Sequence, residues 1–307
     1  MLPGAIVLGI SLYLVYHFTP ALHQYGSWLH PVVSEGQRLV IAILLFFQFV
    51  KISPHDLKLS RWHWAAMAVQ VGVFLVAAAA VRFAPMGETG KMLTECVMLC
   101  FICPTASAAG VITDRLGGNL AATVTYIVAI NLAATLLIPL VIPMVNPSED
   151  LGFWAYVGHI ALKVFPVLVL PGLLAWLIRY SARRLQRKLY RWAGNSFYVW
   201  GVGLTLAMIL ATRALLLSGL GAIPVAGIVA VSLLSCFAQF FIGRKMGQSD
   251  IDRITAGQTL GQKNTGFLIW LGYNYMTPVT SVAGGLYAVW QNLFNSWELY
   301  KKENQRG

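Results

Sequence analysis

Apolar stretches long enough to cross a bilayer recur from the beginning of the chain to its end, and this recurrence constrains the fold more than any other feature. A helix needs about 20 predominantly apolar residues to cross the hydrocarbon core. Ten segments approach that length: residues 3–18, 36–52, 63–83, 90–105 continuing to 115, 118–145, 153–180, 192–217, 223–243, 254–272 and 278–299. Of the 307 residues, 58% are hydrophobic and only 11% charged, against about 25% charged in soluble domains. Such a chain needs lipid as its solvent, and the spans leave no room for a sizeable soluble domain. Lipid offers no partner to backbone N–H and C=O groups, so the expected fold class is an all-α membrane protein. The opening apolar stretch lacks a basic leader and a small-residue cleavage site, and reads as a retained first span rather than a signal peptide.

The net charge of +11 is unevenly placed. Lys51, Lys58 and Arg61 follow the second span and Arg115 the fourth. Arg179, Arg183, Arg184, Arg187, Lys188 and Arg191 follow the sixth; Arg244, Lys245 and Arg253 lie between the eighth and ninth; Lys301, Lys302 and Arg306 form the tail. The opposite loops hold only Arg38, Arg82, Lys91 and Arg213, with the acidic pair Glu149 and Asp150. Cations gather on the cytoplasmic side of membrane proteins, so the expected location is the cell inner membrane, multi-pass, with both termini cytoplasmic. The same clustering argues against a nucleic-acid partner, because no basic, aromatic-interleaved soluble module is present. Enzyme motifs are absent: no G-x-S-x-G, no H-E-x-x-H and no phosphate-binding loop. The chain reads as a non-enzyme.

The polar run Asn146-Pro147-Ser148-Glu149-Asp150 divides the chain into residues 1–146 and 151–300, followed by a cytoplasmic tail, 301–307. Five spans per half is an odd number, so the halves would be inverted with respect to each other, the plan of many secondary transporters. The fourth span is broken by Cys103-Pro104-Thr105-Ala106-Ser107 and then Gly110; the ninth is broken by the polar run Gly257 to Gly266. Breaks at matching positions of two halves point to a transport site. Lys263 lies inside the second break with no acidic neighbour in sequence. A lysine at that depth costs roughly 2.5–3.5 kcal/mol to insert. It either holds an anion or exchanges a proton, or it is fixed structurally by the carbonyls of a helix end.

Other polar residues read more plainly. Gln70 is a lone amide in the third span, by default a helix–helix hydrogen bond. Glu95 and Lys163 lie near span ends and could meet. Cys96, Cys100 and Cys103 share one helical face, and Cys236 lies elsewhere. With no histidine to complete a coordination set, helix contact is the favoured role over metal binding, and no disulfide framework is indicated.

The loop Lys51-Ile52-Ser53-Pro54-His55-Asp56-Leu57-Lys58, then Gln70, Cys103-Pro104-Thr105-Ala106-Ser107, Gly118-Asn119 and Gly261-Gln262-Lys263-Asn264-Thr265-Gly266 together resemble the bile acid:sodium symporter family, from about residue 40 onward. The resemblance implies ten helices in two inverted five-helix repeats, with spans four and nine unwound and crossing near the midplane. It implies a panel of spans one, two, six and seven, a core of the rest, organic-anion substrates, alternating access and two sodium ions at the crossover. Gln70 matches a sodium-site glutamine, Thr123 a hydroxyl ligand and Asn264 the asparagine facing substrate. The family's Ser-Asn pair falls on Ala109 and Gly110, a second hydroxyl on Ile127, its glutamate on Thr259 and its glutamine on Lys263. Two glycines of the family's pattern after Pro104 are missing here.

The expected function is therefore secondary-active or facilitative transport of a small, carboxylate-like organic anion. Expected substrate contacts are Thr105, Ser107, Ala109, Gly110, Lys263, Asn264 and Thr265. Former cation-site positions are Gln70, Thr123, Ile127, Thr259, Gln262 and Lys263. No cofactor is expected; sodium is disfavoured because Lys263 stands where a cation would sit, and protons are an alternative coupling ion. A sodium-coupled symporter, or a membrane sensor on a transporter fold, are the other readings.

Overall fold

The computed structural model describes residues 2–304, without the side chains of Leu2, Pro3 and Phe197. Fourteen α-helices account for most of it: α1 Leu2–Phe18, α2 Gly26–Val50, α3 Arg61–Phe83, α4 Glu88–Ile102, α5 Ala108–Arg115, α6 Leu120–Val145, α7 Phe153–Leu168, α8 Leu170–Ser181, α9 Arg183–Trp192, α10 Ser196–Ser218, α11 Ala222–Met246, α12 Asp250–Gly261, α13 Thr265–Tyr275 and α14 Ser281–Asn304. Among the described residues the only β-pairing is one isolated bridge.

Local chemistry explains the boundaries. The Asn119 side chain accepts from Ala122 N–H to start α6, and Ser249 accepts from Asp252 N–H to start α12. Gly117 and Gly219 take positive φ of 80° and 62° just beyond α5 and α10, a conformation that side-chain-bearing residues avoid.

By length and apolarity, five segments can cross a membrane: Pro20–Val50, Arg61–Phe83, Leu120–Val145, Tyr198–Ser218 and Ala222–Met246. The pair α7 and α8, bent by 42° at Val169, makes a sixth. Pro171 in the first turn of α8 and Pro166 inside α7 account for that bend in what the apolar run alone predicts as one continuous span. The other four expected spans do not qualify by themselves. α1 is short; α4 with α5, and α12 with α13, are interrupted; α14 carries Glu298, Lys301 and Lys302. Helix α14 continues through Lys301 and Lys302 to Asn304, so the described part of the segment expected as a tail is helical; Arg306 lies outside the described residues.

The buried core is drawn from nearly all helices, with Phe74, Leu99, Ile102, Ile127, Phe240 and Trp270 near its centre. Many large apolar side chains face outward, among them Leu136, Leu162 and Ile223. Such a surface suits a lipid surround and not water. The basic run after α8, expected as a loop, is the amphipathic helix α9, with no buried residue. Close packing of α11 against α12 and of α1 against α10 places small residues at the contacts. A Cβ on Gly243 would overlap the Ala256 carbonyl, and one on Gly9 would overlap the Thr205 carbonyl.

Candidate functional site

Two backbone breaks frame the site. Helix α4 stops at Ile102 because Pro104 has no N–H to donate and forces Cys103 out of the helical region, to φ −55° and ψ 125°. The chain turns helical again at Ala108. Helix α12 stops at Gly261 and α13 begins at Thr265. The two extended stretches pair with each other. Thr105 and Lys263 form the antiparallel bridge. Asn264 N–H donates to the Pro104 carbonyl at 2.8 Å, and Ala106 N–H donates to the Gln262 carbonyl at 3.1 Å. Each break thereby satisfies backbone groups that the other exposes, which is how unwound chain persists away from water. The C-terminal ends of α4 and α12 and the N-terminal ends of α5 and α13 meet here, bringing partial charges of both signs together.

Lys263 sits in the second gap, between the end of α12 and the start of α13, inside the break that the polar run predicts. Its backbone is clamped by Gln291 of α14: Lys263 N–H donates to Gln291 Oε1 at 2.8 Å, and Gln291 Nε2 donates to the Lys263 carbonyl at 3.3 Å. Its side chain is fully buried. Among the described residues, its Nζ has no hydrogen-bond partner. Its electrostatic neighbours are Cys103 and Cys100 in and beside the last turn of α4, and Cys236 of α11. All four cysteines are unpaired and buried. Cys100 and Cys103 are thus close enough to Lys263 to act on its charge, a link that cysteine spacing alone could not reveal. Among the described residues no group of three or more His, Cys, Asp or Glu side chains is arranged to hold a metal ion.

The expected substrate contacts gather at this crossover unevenly. Thr105 is buried and donates to the Thr259 carbonyl at 2.7 Å. Asn264 is half-buried, and its Oδ1 accepts from Phe267 N–H at 3.2 Å, capping α13. Its carbonyl accepts from the Cys103 thiol at 3.0 Å. Thr265 is buried, and Ser107 is half-buried at the start of α5. Ala109 and Gly110 lie buried one turn further on, where a Cβ on Gly110 would press on Leu120.

The positions expected to be former cation-site residues fall into separate contacts. Gln70 Nε2 donates to the Cys103 carbonyl at 3.0 Å, and Gln70 Oε1 accepts from Tyr126 Oη at 2.9 Å. The Thr259 hydroxyl donates to Thr123 Oγ1 at 3.2 Å, and the Thr123 hydroxyl donates to the Asn119 carbonyl at 3.2 Å. Ile127 is wholly in the apolar core. The Gln262 side chain turns away along α12 and donates to Gln258 Oε1.

Several site residues were not foreseen. Gln258 Nε2 donates to Glu298, and Arg244 pairs with the same carboxylate. A polar ladder of Gln262, Gln258 and Glu298 thus runs from the crossover to the end of α14. Glu298 was hidden because it stands near a span end, where a carboxylate is unremarkable in sequence, yet its side chain is only 3% exposed. Gln239 Nε2 donates to Tyr287 Oη at 3.1 Å, and Tyr287 donates to the Gly261 carbonyl at 2.8 Å, closing the end of α12. Gln37 of α2 approaches from the other side: a Cβ on Gly266 would lie 2.7 Å from Gln37 Nε2. Glu95 and Lys163 do not meet. Glu95 accepts from Thr277 N–H at 3.2 Å, and Lys163 pairs with Glu35 at 3.5 Å.

None of the curated proteins compared with the chain matches it. The sequence profile of the SBF-like CPA transporter family does match, over residues 5–284, reaching well upstream of the motifs that begin near residue 40. A family of transporters and the run of apolar helices together make this a multi-pass membrane protein. By that match, which takes in both breaks and Lys263, the chain belongs to the SBF-like CPA transporter family, a relative of the bile acid:sodium symporters.

Proposed function

We propose that this protein carries a small, carboxylate-like organic anion across the cell inner membrane by alternating access, without sodium, and that Lys263 is the fixed cation of its binding site. One observation carries the reading. The Lys263 ammonium is fully buried and has no acceptor among the described residues. An ammonium has three donors to satisfy, and leaving a charge unpaired away from water is among the costliest arrangements in a protein. A substrate carboxylate reaching Lys263 between Thr105 and Asn264 would provide the acceptor and the counter-charge together.

Sodium fits the same residues poorly. Sodium binding needs several free oxygen ligands, usually with an anion near. The oxygens of Gln70, Thr123 and Thr259 are engaged with one another or their neighbours, position 127 is apolar, and Lys263 brings a positive charge to the crossover. A second cation beside Lys263 would be repelled by several kcal/mol.

We read α1, α2, α3, α4 with α5, and α6 as a first repeat, residues 1–146, and α7 with α8, α10, α11, α12 with α13, and α14 as a second, inverted repeat, residues 151–300. The helix pairings support this. α3 lies on α4 as α11 lies on α12, α3 touches α6 as α11 touches α14, and α5 touches α6 as α13 touches α14. α2 meets α8 as α10 meets α1. On this reading ten units cross the bilayer, both termini are cytoplasmic by the placement of cations, and α1, α2, α7 with α8, and α10 form a panel against which the rest moves.

The test is uptake of labelled small mono- and dicarboxylates into proteoliposomes, with and without an inward sodium gradient. Equal uptake in both is expected, with loss in Lys263→Ala. A strict need for sodium would overturn the coupling, and undiminished uptake by Lys263→Ala would overturn the role of the lysine.

A further inference from the structure

A cleft of about 470 Å³ opens at the end of the molecule opposite the C-terminal end of α14. It lies between the C-terminal part of α10 and the ends of α4 and α13, with Glu88, Thr89, Arg213, Ser218, Tyr273 and Thr277 among its lining. Arg213 is the unusual member. It is half-buried, its Nε is out of contact with water, and among the described residues that nitrogen has no hydrogen-bond partner. Its guanidinium lies 5.6 Å from the centre of the Tyr273 ring. Among the described residues no carboxylate pairs with it, whereas Arg38 of α2 pairs with Glu35. Glu88 lines the same cleft in the first turn of α4, where the helix end favours its charge, yet it is not within pairing distance of Arg213.

We infer that this cleft is a separate capture site for the transported anion, in which Arg213 takes the substrate carboxylate before it reaches Lys263. The inference rests on the anion-carrier reading above. A guanidinium presents a planar fork of donors that matches a carboxylate, and its position over the Tyr273 ring helps to hold that fork in place. The cleft joins a helix of the proposed panel, α10, to helices of the proposed core, α4 and α13. Tyr273 lies eight residues along α13 from Thr265, about 12 Å of helix, so capture and crossover sites are stations on one path. Glu88 on the facing wall repels an anion and keeps the capture weak enough for onward release.

The experiment measures initial uptake of labelled pyruvate, succinate and benzoate into right-side-out vesicles, over a range of ionic strength, for wild type, Arg213→Gln, Arg213→Lys and Glu88→Gln. Arg213→Gln should raise KM about tenfold, the worth of one charge-assisted contact, and flatten the dependence on salt. Arg213→Lys should recover part of the affinity, and Glu88→Gln should lower KM. A merely structural Arg213 would give no lysine rescue and no opposite effect at Glu88. If wild type carries one of these anions and neither charge change alters KM or salt dependence, the capture site is wrong and the carrier reading stands. If wild type carries none of them, the carrier reading fails and the capture site falls with it.

Discussion

At residue scale the central fact is a lysine kept where its charge is least welcome. Lys263 is held by its backbone, through Gln291 and the bridge to Thr105, and not by its ammonium. A residue retained only for packing would be better as an apolar chain of similar length. Replacing buried charges by apolar isosteres is often stabilising, by about 1–4 kcal/mol. Lys263→Met should therefore raise the melting temperature in detergent while abolishing carboxylate uptake. A lower melting temperature together with lost uptake would instead mean that the ammonium holds the crossover together. The neighbouring polar side chains differ from it in having partners. Thr105, Thr123, Thr259 and Gln70 each make a hydrogen bond within the protein, so their loss should be felt first as disorder of the crossover.

At the scale of elements, short helices depend on close neighbours. Helix α12 has Asp250, Asp252 and Arg253 in its first turn and a polar face beyond, so it is held by its contact with α11 and not by apolarity. That contact is made through Gly243, Gly257 and Gly261, where added side-chain atoms would strike the Ala256 carbonyl, Arg244 and Phe240. Gly243→Val should cost about 1–3 kcal/mol from overpacking, and should appear as a smaller monodisperse fraction on gel filtration and a lower melting temperature. Gly72 in α3 is the control: a Cβ there meets nothing within 4 Å. Gly72→Ala should be neutral or stabilising by up to about 1 kcal/mol, since glycine is the poorer helix former. Equal damage from both substitutions would remove the special role of the α11–α12 contact. The buried ladder from Gln262 through Gln258 to Glu298, anchored by Arg244, ties the same helix to α14.

At the scale of the molecule, alternating access requires two bodies that move against each other at the site. Gln37 on α2 and Gly266 at the start of α13 face each other across that proposed boundary, with Gln37 Nε2 only 2.7 Å from where a Gly266 Cβ would be. Cysteines at both positions should form a cross-link under mild oxidation. The native cysteines are all buried and should not compete. The oxidised Gln37→Cys, Gly266→Cys protein should bind substrate but fail to transport it, and reduction should restore uptake. Full transport by the oxidised protein would show that α2 and α13 do not separate during the cycle.

What could be read without coordinates was set by solvent and by chain chemistry. The apolar runs require lipid, runs of about 20 apolar residues cross it as helices, and Pro104 and the polar run around Lys263 require that two helices break; each follows from local residue properties. The family and the identity of the lysine as the anomalous residue were legible for the same reason. Legibility failed where partners are distant in sequence. That the two breaks pair, that Cys100, Cys103 and Cys236 are electrostatic neighbours of Lys263, that Gln291 clamps it, and that Glu298 and Arg244 anchor a polar ladder depend on contacts between residues far apart in the chain. A pattern along one strand of sequence carries no record of such meetings. Apolarity also overstated the continuity of the spans, since it measures affinity for lipid and not whether a helix runs unbroken through it. The sequence thus determined the solvent, the helical class and the places where helix fails. The tertiary structure alone decided what the broken ends face, because unsatisfied backbone and a buried charge are settled by whichever distant groups packing brings to them.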